Sequence, residues 1–315
     1  MRFVIPLLAL ICLLFAACTD EAHAPRTPSP APTLPPVAVD HSADPFRIVV
    51  SLPIFADMAR QIAGDQARVT ALIPPGADPH TYIPTDDQAQ TVAEAQFIFY
   101  NGNGLETPTQ QFIEAHKQQP MLLVNFTHNV PSPSTQQPLD KPIYAEQVGD
   151  EPHLFLDPGL AGVYPATIAD SLVIKDGQNE VYYNARFDDY RQKILGLQDN
   201  MRNTMSVIPP QNKGLLVLYH NSLVHFANRF GLTIAGTLVD DGVDGITRLL
   251  AEKHPPAVFT ETGYDNSALE QAAQTAGIQV CHLETDSIAD EATSYIQMME
   301  RDAAELARCL GLPPT

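Results

Sequence analysis

Four side chains pose the chemical question. His80, His153, His220 and Asp286 are residue types that hold a first-row transition metal, since imidazole nitrogen is a neutral donor and a carboxylate adds charge. Three imidazoles with one carboxylate give N3O coordination. That set suits Zn2+ in a closed tetrahedron, and it accommodates Mn2+ or Fe2+ when the carboxylate is bidentate. Taken singly, each residue has a plainer reading. His80 and His153 could be solvent-exposed or capping residues, His220 a core histidine bonded to a carbonyl, and Asp286 a helix cap competing with Ser287 and Asp290. His225, His254 and His282 also fall near the ends of strands or helices, so position at an element end does not by itself single out the four.

What joins them is the order of elements around them. From Phe46, short apolar runs alternate with helix-like stretches, the pattern of an α/β sheet with crossovers. Strands are expected at 47–52, 69–73, 97–100 and 121–125, and again at 214–219, 233–239, 257–260 and 279–283. Helices are expected at 54–63, from Thr85 (where TDDQ places Gln88 in a capping box), at 107–116, 159–173, 222–230, 246–253 and 268–276, and up to about Leu310. Between the two series, 178–207 contains no proline and one glycine, with apolar residues at helical spacing. Such a helix spans roughly 45 Å, a length suited to crossing between two lobes. His80, in PPGADPHTYIP, follows the second strand; His220 ends the fifth, and Asp286 lies just past the eighth. His153 closes a Pro-, Ser- and Gln-rich stretch, 126–156, that breaks the rhythm and reads as functional or disordered. Ligands of open α/β sheets bind beyond the carboxyl ends of strands. If the halves face each other, two candidate ligands come from each.

Composition narrows the partners. The formal charge is −19, and from Cys18 onward 17 basic side chains face 37 acidic ones. Phosphate contacts need clustered Lys and Arg, so nucleic acid is excluded as a partner. Phe3 to Ala17 is almost wholly apolar after a single Arg, the size of a secretory signal and too short to span a bilayer comfortably. LFAAC resembles a bacterial lipobox, in which cleavage leaves Cys18 as a lipid-bearing N-terminus; the plainer alternative is an ordinary cleaved signal. Glu21 to Asp44 holds six prolines and little apolar material, so it is expected to be an extended tether reaching roughly 70 Å. Cys12 lies in the signal, which leaves Cys281 and Cys309 either as a disulfide of an oxidising compartment or as two buried thiols.

The motifs carry a resemblance. ADPHTYIPT resembles the DPHxYEPT loop of the metal-binding proteins that serve zinc and manganese ABC importers, and EPHLFLDP is similar to their second histidine motif, PHxWLDP. LYHNSLVHFANRFG resembles the stretch in which zinc-type members carry HDAYGYF and manganese-type members carry Glu at the histidine. TDSIADEATSYIQMM resembles the C-terminal segment whose Asp is a ligand in many members. The similarity runs from about Val49 to Leu310. It departs at Ile83, where Glu is usual, in the missing Trp of the second motif, and in the missing His-rich loop, near whose place only His116 and His128 stand.

The resemblance implies an α/β protein of two (β/α)4 lobes joined by a long rigid helix, with a metal site in the inter-lobe cleft and little hinge motion. His80, His153, His220 and Asp286 are then its ligands, and Zn2+, alternatively Mn2+ or Fe2+, is its transported cargo. The implied partners are an ABC permease and its ATPase, with a membrane reached through the lipid anchor, and the protein is expected to be an extracytoplasmic monomer and no enzyme. The expected division is a signal peptide at 1–17, lipidated Cys18 and tether at 18–44, an N-terminal lobe at 45–177, a linking helix at 178–208 and a C-terminal lobe at 209–315. Two other readings compete: a zinc hydrolase with an open metal position and Asp286 or Glu261 as base, and a surface adhesin stabilised by a structural metal.

Overall fold

Strands β1 (Phe46–Val50), β2 (Ala67–Ala71), β3 (Phe97–Tyr100) and β4 (Leu122–Asn125) form one sheet in the order β2-β1-β3-β4, every pair parallel. Strands β5 (Leu216–Leu218), β6 (Ile234–Thr237), β7 (Ala257–Glu261) and β8 (Gln279–Leu283) repeat that order as β6-β5-β7-β8, again all parallel. The computed structural model describes residues 44–127, 151–290 and 293–311, all within a single unit, Ala38–Thr315. The signal, Cys18, the tether, His128 and most of the Pro- and Ser-rich stretch lie outside the described residues.

Parallel strands covered on both faces read as unbroken apolar runs, and β3, β5 and β7 are buried at every position. The crossovers are supplied by α1 (Pro53–Ala63), α2 (Ala89–Ala93) and α3 (Thr107–His116) in the first half, and α4 (Val163–Lys175) follows β4. In the second half they are α6 (Val224–Phe230), α7 (Leu238–Lys253) and α8 (Ser267–Ala276), and α9 (Tyr295–Leu310) follows β8. Between the halves runs α5, Glu180–Met205, 26 residues and about 39 Å long. It is a two-lobed α/β fold, as expected.

Several boundaries differ from the expected ones for physical reasons. Strand β2 ends at Ala71, yet Leu72 and Ile73 still donate to the carbonyls of Val50 and Ser51 at 2.9 Å, so they are strand-like without being in the ladder. Helix α7 starts eight residues before the expected Ile246, because the Thr237 side chain caps it by accepting from Asp240 N. Gly242, at φ 67°, then kinks it in the left-handed region glycine tolerates. Helix α4 starts at Val163 rather than 159, after a 3-10 turn at Leu154–Leu156.

One apolar core runs through both halves. It joins Ile48, Phe97 and Phe99 of the first sheet to Leu216, Phe259 and Leu283 of the second through Phe55, Tyr164, Tyr190, Leu197 and Met201. Helix α9 completes it with Met298, Met299 and Leu306, and a disulfide between Cys281 and Cys309 ties the end of α9 to β8. Smaller apolar clusters lie on the outer side of each sheet.

Candidate metal centre

Both sheets aim their carboxyl ends at one cleft. Asp78 builds the turn that presents His80: its Oδ1 accepts His80 N at 2.8 Å, its Oδ2 accepts the Thr81 hydroxyl at 2.8 Å, and its carbonyl accepts Tyr82 N at 3.0 Å. The same loop reaches the other half, where Gly76 N donates to Ser287 Oγ at 2.8 Å and to Ile288 O at 3.1 Å. Gly263, at φ +94°, packs against it so closely that a Cβ would stand 3.2 Å from Ala77 C and O.

His153 caps the 3-10 turn, and its segment is fastened from both sides. Asn101, fully buried just past β3, donates from Nδ2 to Pro152 O at 2.9 Å and accepts from the Tyr164 hydroxyl at 2.7 Å. Phe155 is sunk against Phe55, and its carbonyl accepts the Tyr295 hydroxyl at 2.8 Å. An ion pair between Arg229 and Asp157 closes the segment. His220 follows β5, and Asp286 stands three residues beyond β8.

The four expected ligands come together. The Nε2 atoms of His80, His153 and His220 lie 3.5, 3.2 and 3.0 Å from Asp286 Oδ2, and one candidate ligand atom from each residue lies within 4.8 Å of the others. His153, His220 and Asp286 are buried, while the His80 side chain is 32% exposed and forms the solvent edge. His80 Nε2 and Asp286 Oδ1 are themselves buried without a hydrogen-bond partner. Unsatisfied buried polar atoms cost about 1–3 kcal/mol each, and coordination to a shared cation would satisfy both.

Behind the four stand residues whose supporting role the motifs do not assign, although Glu151 lies inside EPHLFLDP and Glu261 enters the hydrolase reading as a base. Glu151 accepts from His153 N at 3.0 Å and pairs with its Nδ1. Glu261, wholly buried at the end of β7, accepts from His220 N at 3.1 Å, Ser222 Oγ at 3.1 Å and Thr285 Oγ1 at 2.5 Å. Its Oε2 also lies 3.1 Å from His220 Nδ1, off the hydrogen-bond line. A carboxylate on the far nitrogen of an imidazole orients the ring and raises its basicity. Tyr264 donates to Asp286 Oδ2 at 2.7 Å. Nothing in the sequence around Tyr264 signals this; it arrives because the loops after β7 and β8 leave neighbouring strands.

The electrostatics follow from burial and charge. Burial alone would lower the His153 imidazole, but Asp286 and Glu151 outweigh it and raise it to about 9. Burial likewise opposes charge on His220, and Asp286 and Glu261 together raise it to about 11. For Asp286, burial pushes upward, yet His153 with His220 and His80 holds the carboxyl well below the usual range. Burial and Asp286 push the Tyr264 hydroxyl far up, so it remains a neutral donor.

Two four-stranded parallel sheets, one long helix between them and a cleft lined by three imidazoles and a carboxylate define a two-lobed solute-binding protein of the metal-importer class. The chain belongs to the family described as ZnuA, zinc-uptake complex component A, periplasmic, whose profile matches residues 48–309. Relatives include the manganese ABC transporter substrate-binding lipoprotein PsaA of Streptococcus pneumoniae, 27% identical over 286 residues and covering 86% of this chain and 90% of that one. Another is the manganese-binding lipoprotein MntA of Halalkalibacterium halodurans, 27% identical over 269 residues, with coverage of 82% and 86%. Among solved structures, the periplasmic zinc binding protein TroA from Treponema pallidum aligns with a TM-score of 0.73 at 22% identity over 85% of this chain and 99% of its own. A crystal structure of ZnuA aligns at 0.69 and 24% identity, covering 85% of this chain and 100% of its own. These two share the fold.

Proposed function

We propose that this protein captures a single divalent transition metal outside the cytoplasm, Zn2+ in preference to Mn2+, and hands it to an ABC permease driven by its ATPase. His80, His153, His220 and Asp286 are the ligands in this reading. The observation that carries it is the convergence of three Nε2 atoms on one carboxylate with His80 Nε2 and Asp286 Oδ1 left buried and unpartnered. Three nitrogens and one oxygen favour Zn2+, and the two flanking carboxylates strengthen the imidazoles as donors. Relatives named for manganese and a family named for zinc bracket the choice.

Anchorage through lipid on Cys18 and a tether at 18–44 belong to the same proposal, as do lobes at 45–177 and 209–315 with the linking helix at 178–208. Delivery then needs the side of the cleft carrying His220 and Asp286 to part from the loop of His80. Of the two candidate bases of the hydrolase alternative, Glu261 is wholly buried and committed to His220, Ser222 and Thr285, and the present reading takes Asp286 as a ligand.

Competition calorimetry of Zn2+ against Mn2+ on the purified protein and its His80→Ala variant tests the reading. One metal per chain, zinc tighter, and strong weakening in the variant are expected. Binding that is indifferent to His80 would sink it.

A further inference from the structure

We propose that Arg301 is a positioning residue for Asp286: from the exposed face of α9 it holds closed the loop that presents this carboxylate to the cleft. The inference rests on Asp286 being a ligand. Asp286 stands between β8 and α9, on residues that belong to neither element. A ligand on irregular chain is placed only as well as its loop is tied. Glu284, the first residue past β8, makes the tie. Its Oε1 accepts Ala289 N at 2.9 Å, which closes 284–289 on itself with Asp286 inside. Its Oε2 accepts Arg301 Nη2 at 2.6 Å, and the same nitrogen donates to Thr293 Oγ1 at 3.0 Å. One guanidinium nitrogen thus grips the loop at both ends, and beside it Asp302 Oδ1 accepts Glu284 N at 2.9 Å.

The neighbouring ties of this loop do a different job. Gly76 N donates to Ser287 Oγ and Ile288 O, but Gly76 belongs to the His80 loop, so parting the cleft there breaks that tie. Thr285 Oγ1 reaches Glu261 Oε2 at 2.5 Å and fixes the chain just before Asp286. With the cleft parted, the chain just after Asp286 is held through Ala289, Glu284 and Arg301. Glu284 is buried, while the Arg301 side chain is 55% exposed. Without the guanidinium, a buried carboxylate loses its counter-ion and turns out toward water, which releases Ala289 N. The carboxylate of Asp286 then has to be ordered each time a metal binds, and that cost appears as lost affinity.

The test combines amide exchange with a double-mutant cycle of Arg301→Gln and Asp286→Asn. In the metal-free wild-type protein the Ala289 amide should exchange slowly, and in Arg301→Gln about tenfold faster or more, with the amides of β8 still protected. Zn2+ affinity should fall about tenfold in Arg301→Gln, the low end for loss of a residue that orients a ligand. In the Asp286→Asn background the same change should alter Zn2+ affinity by less than about twofold, because the carboxylate that Arg301 aims is gone; a general loosening of the fold would weaken both backgrounds alike. A wild-type Ala289 amide that exchanges as fast as unfolded chain overturns the proposal without reference to any variant. So does Arg301→Gln binding within about twofold of wild type, or a loss that persists undiminished beside Asp286→Asn. A wild type that binds no Zn2+, or Asp286→Asn binding as tightly as wild type, overturns the ligand assignment itself, and both show before Arg301→Gln is compared.

Discussion

Glu261→Gln separates the charge behind His220 from its shape. The native carboxylate accepts from His220 N, Ser222 Oγ and Thr285 Oγ1, and its Oε2 lies 3.1 Å from His220 Nδ1. In the amide, one oxygen becomes an NH2 donor. A backbone N–H cannot turn to accept, so the amide oxygen must stay on His220 N and the NH2 must face Ser222, Thr285 and Nδ1. The two hydroxyls can rotate to accommodate it, but Nδ1 cannot: beside a donor it holds its lone pair, which moves the ring proton to Nε2. Nε2 is the nitrogen that faces Asp286, and a protonated Nε2 does not bind metal. Outer-shell losses of this kind cost about 10- to 100-fold in affinity, or about 1.4–2.7 kcal/mol. The metal-free fold loses about 1–2 kcal/mol, since charge-assisted bonds are weakened rather than a cavity made. Chelator competition near neutral pH and a thermal melt in EDTA give the two numbers. A variant that melts lower but binds within twofold of wild type would refute the reasoning and leave Glu261 a purely structural carboxylate.

His80→Ala should weaken metal binding by more than about 100-fold while shifting metal-free stability by less than about 1 kcal/mol, because the ring sits at the solvent edge; equal losses in the two assays would make the loop structural. Metal affinity should fall on acidification, by up to about tenfold per pH unit for each imidazole that must shed a proton, as isothermal titration across buffers of different pH would show. Metal-free stability changes at the opposite end. His153 and His220 are raised, to about 9 and about 11, so their contribution is complete below an unfolded value of about 6.5 and is lost as pH climbs through those values; the depressed Asp286 contributes above about 3.9 and loses that only in stronger acid. Melting in EDTA should therefore decline above about pH 9. Gly263→Ala forces a side chain into φ +94° and against the Ala77 backbone, which should cost about 1–3 kcal/mol and weaken metal binding with it. Replacing Cys281 and Cys309 together by Ser opens a 28-residue loop and should cost about 2–4 kcal/mol in denaturant unfolding with metal affinity unchanged.

Much of this was legible in the chain. Eight strands announce themselves as apolar runs between helical stretches, and β3, α3 and β8 fall where expected, at Phe97–Tyr100, Thr107–His116 and Gln279–Leu283. Side-chain caps were partly readable: the Thr85–Gln88 box is present. The start of α7 was hidden, since Asp240, Asp241, Gly242 and Gly245 look like a loop and only the Thr237 cap turns them into a helix. The four histidine and aspartate positions were marked by the resemblance of their motifs to the importer family, since position at an element end fits His225, His254 and His282 as well. Their supports could not. Glu151 stands two residues from His153, a visible hint, but Asn101 and Tyr264 reach the site only because loops leaving paired neighbouring strands meet at the cleft.

The distribution of contacts also places the compliant joint between the lobes. Opening the cleft about α5 would have to shear the apolar core that runs from Phe55 and Tyr164 through Tyr190 and Met201 to Met298. At about 25 cal/mol per Å2 of apolar surface, exposing a few such side chains costs several kcal/mol. The rim is held more lightly: Gly76 N shares one donor between Ser287 Oγ and Ile288 O, and a hydrogen bond there contributes about 0.5–1.5 kcal/mol net. Separating the His80 loop from the loop of Asp286 breaks these bonds and lifts Ala77 from Gly263 and the core edge, and it uncovers less apolar surface than an opening about α5. On the proposed ligand set, that motion withdraws one member from the other three, and the one withdrawn is His80, the only partly exposed member of the four.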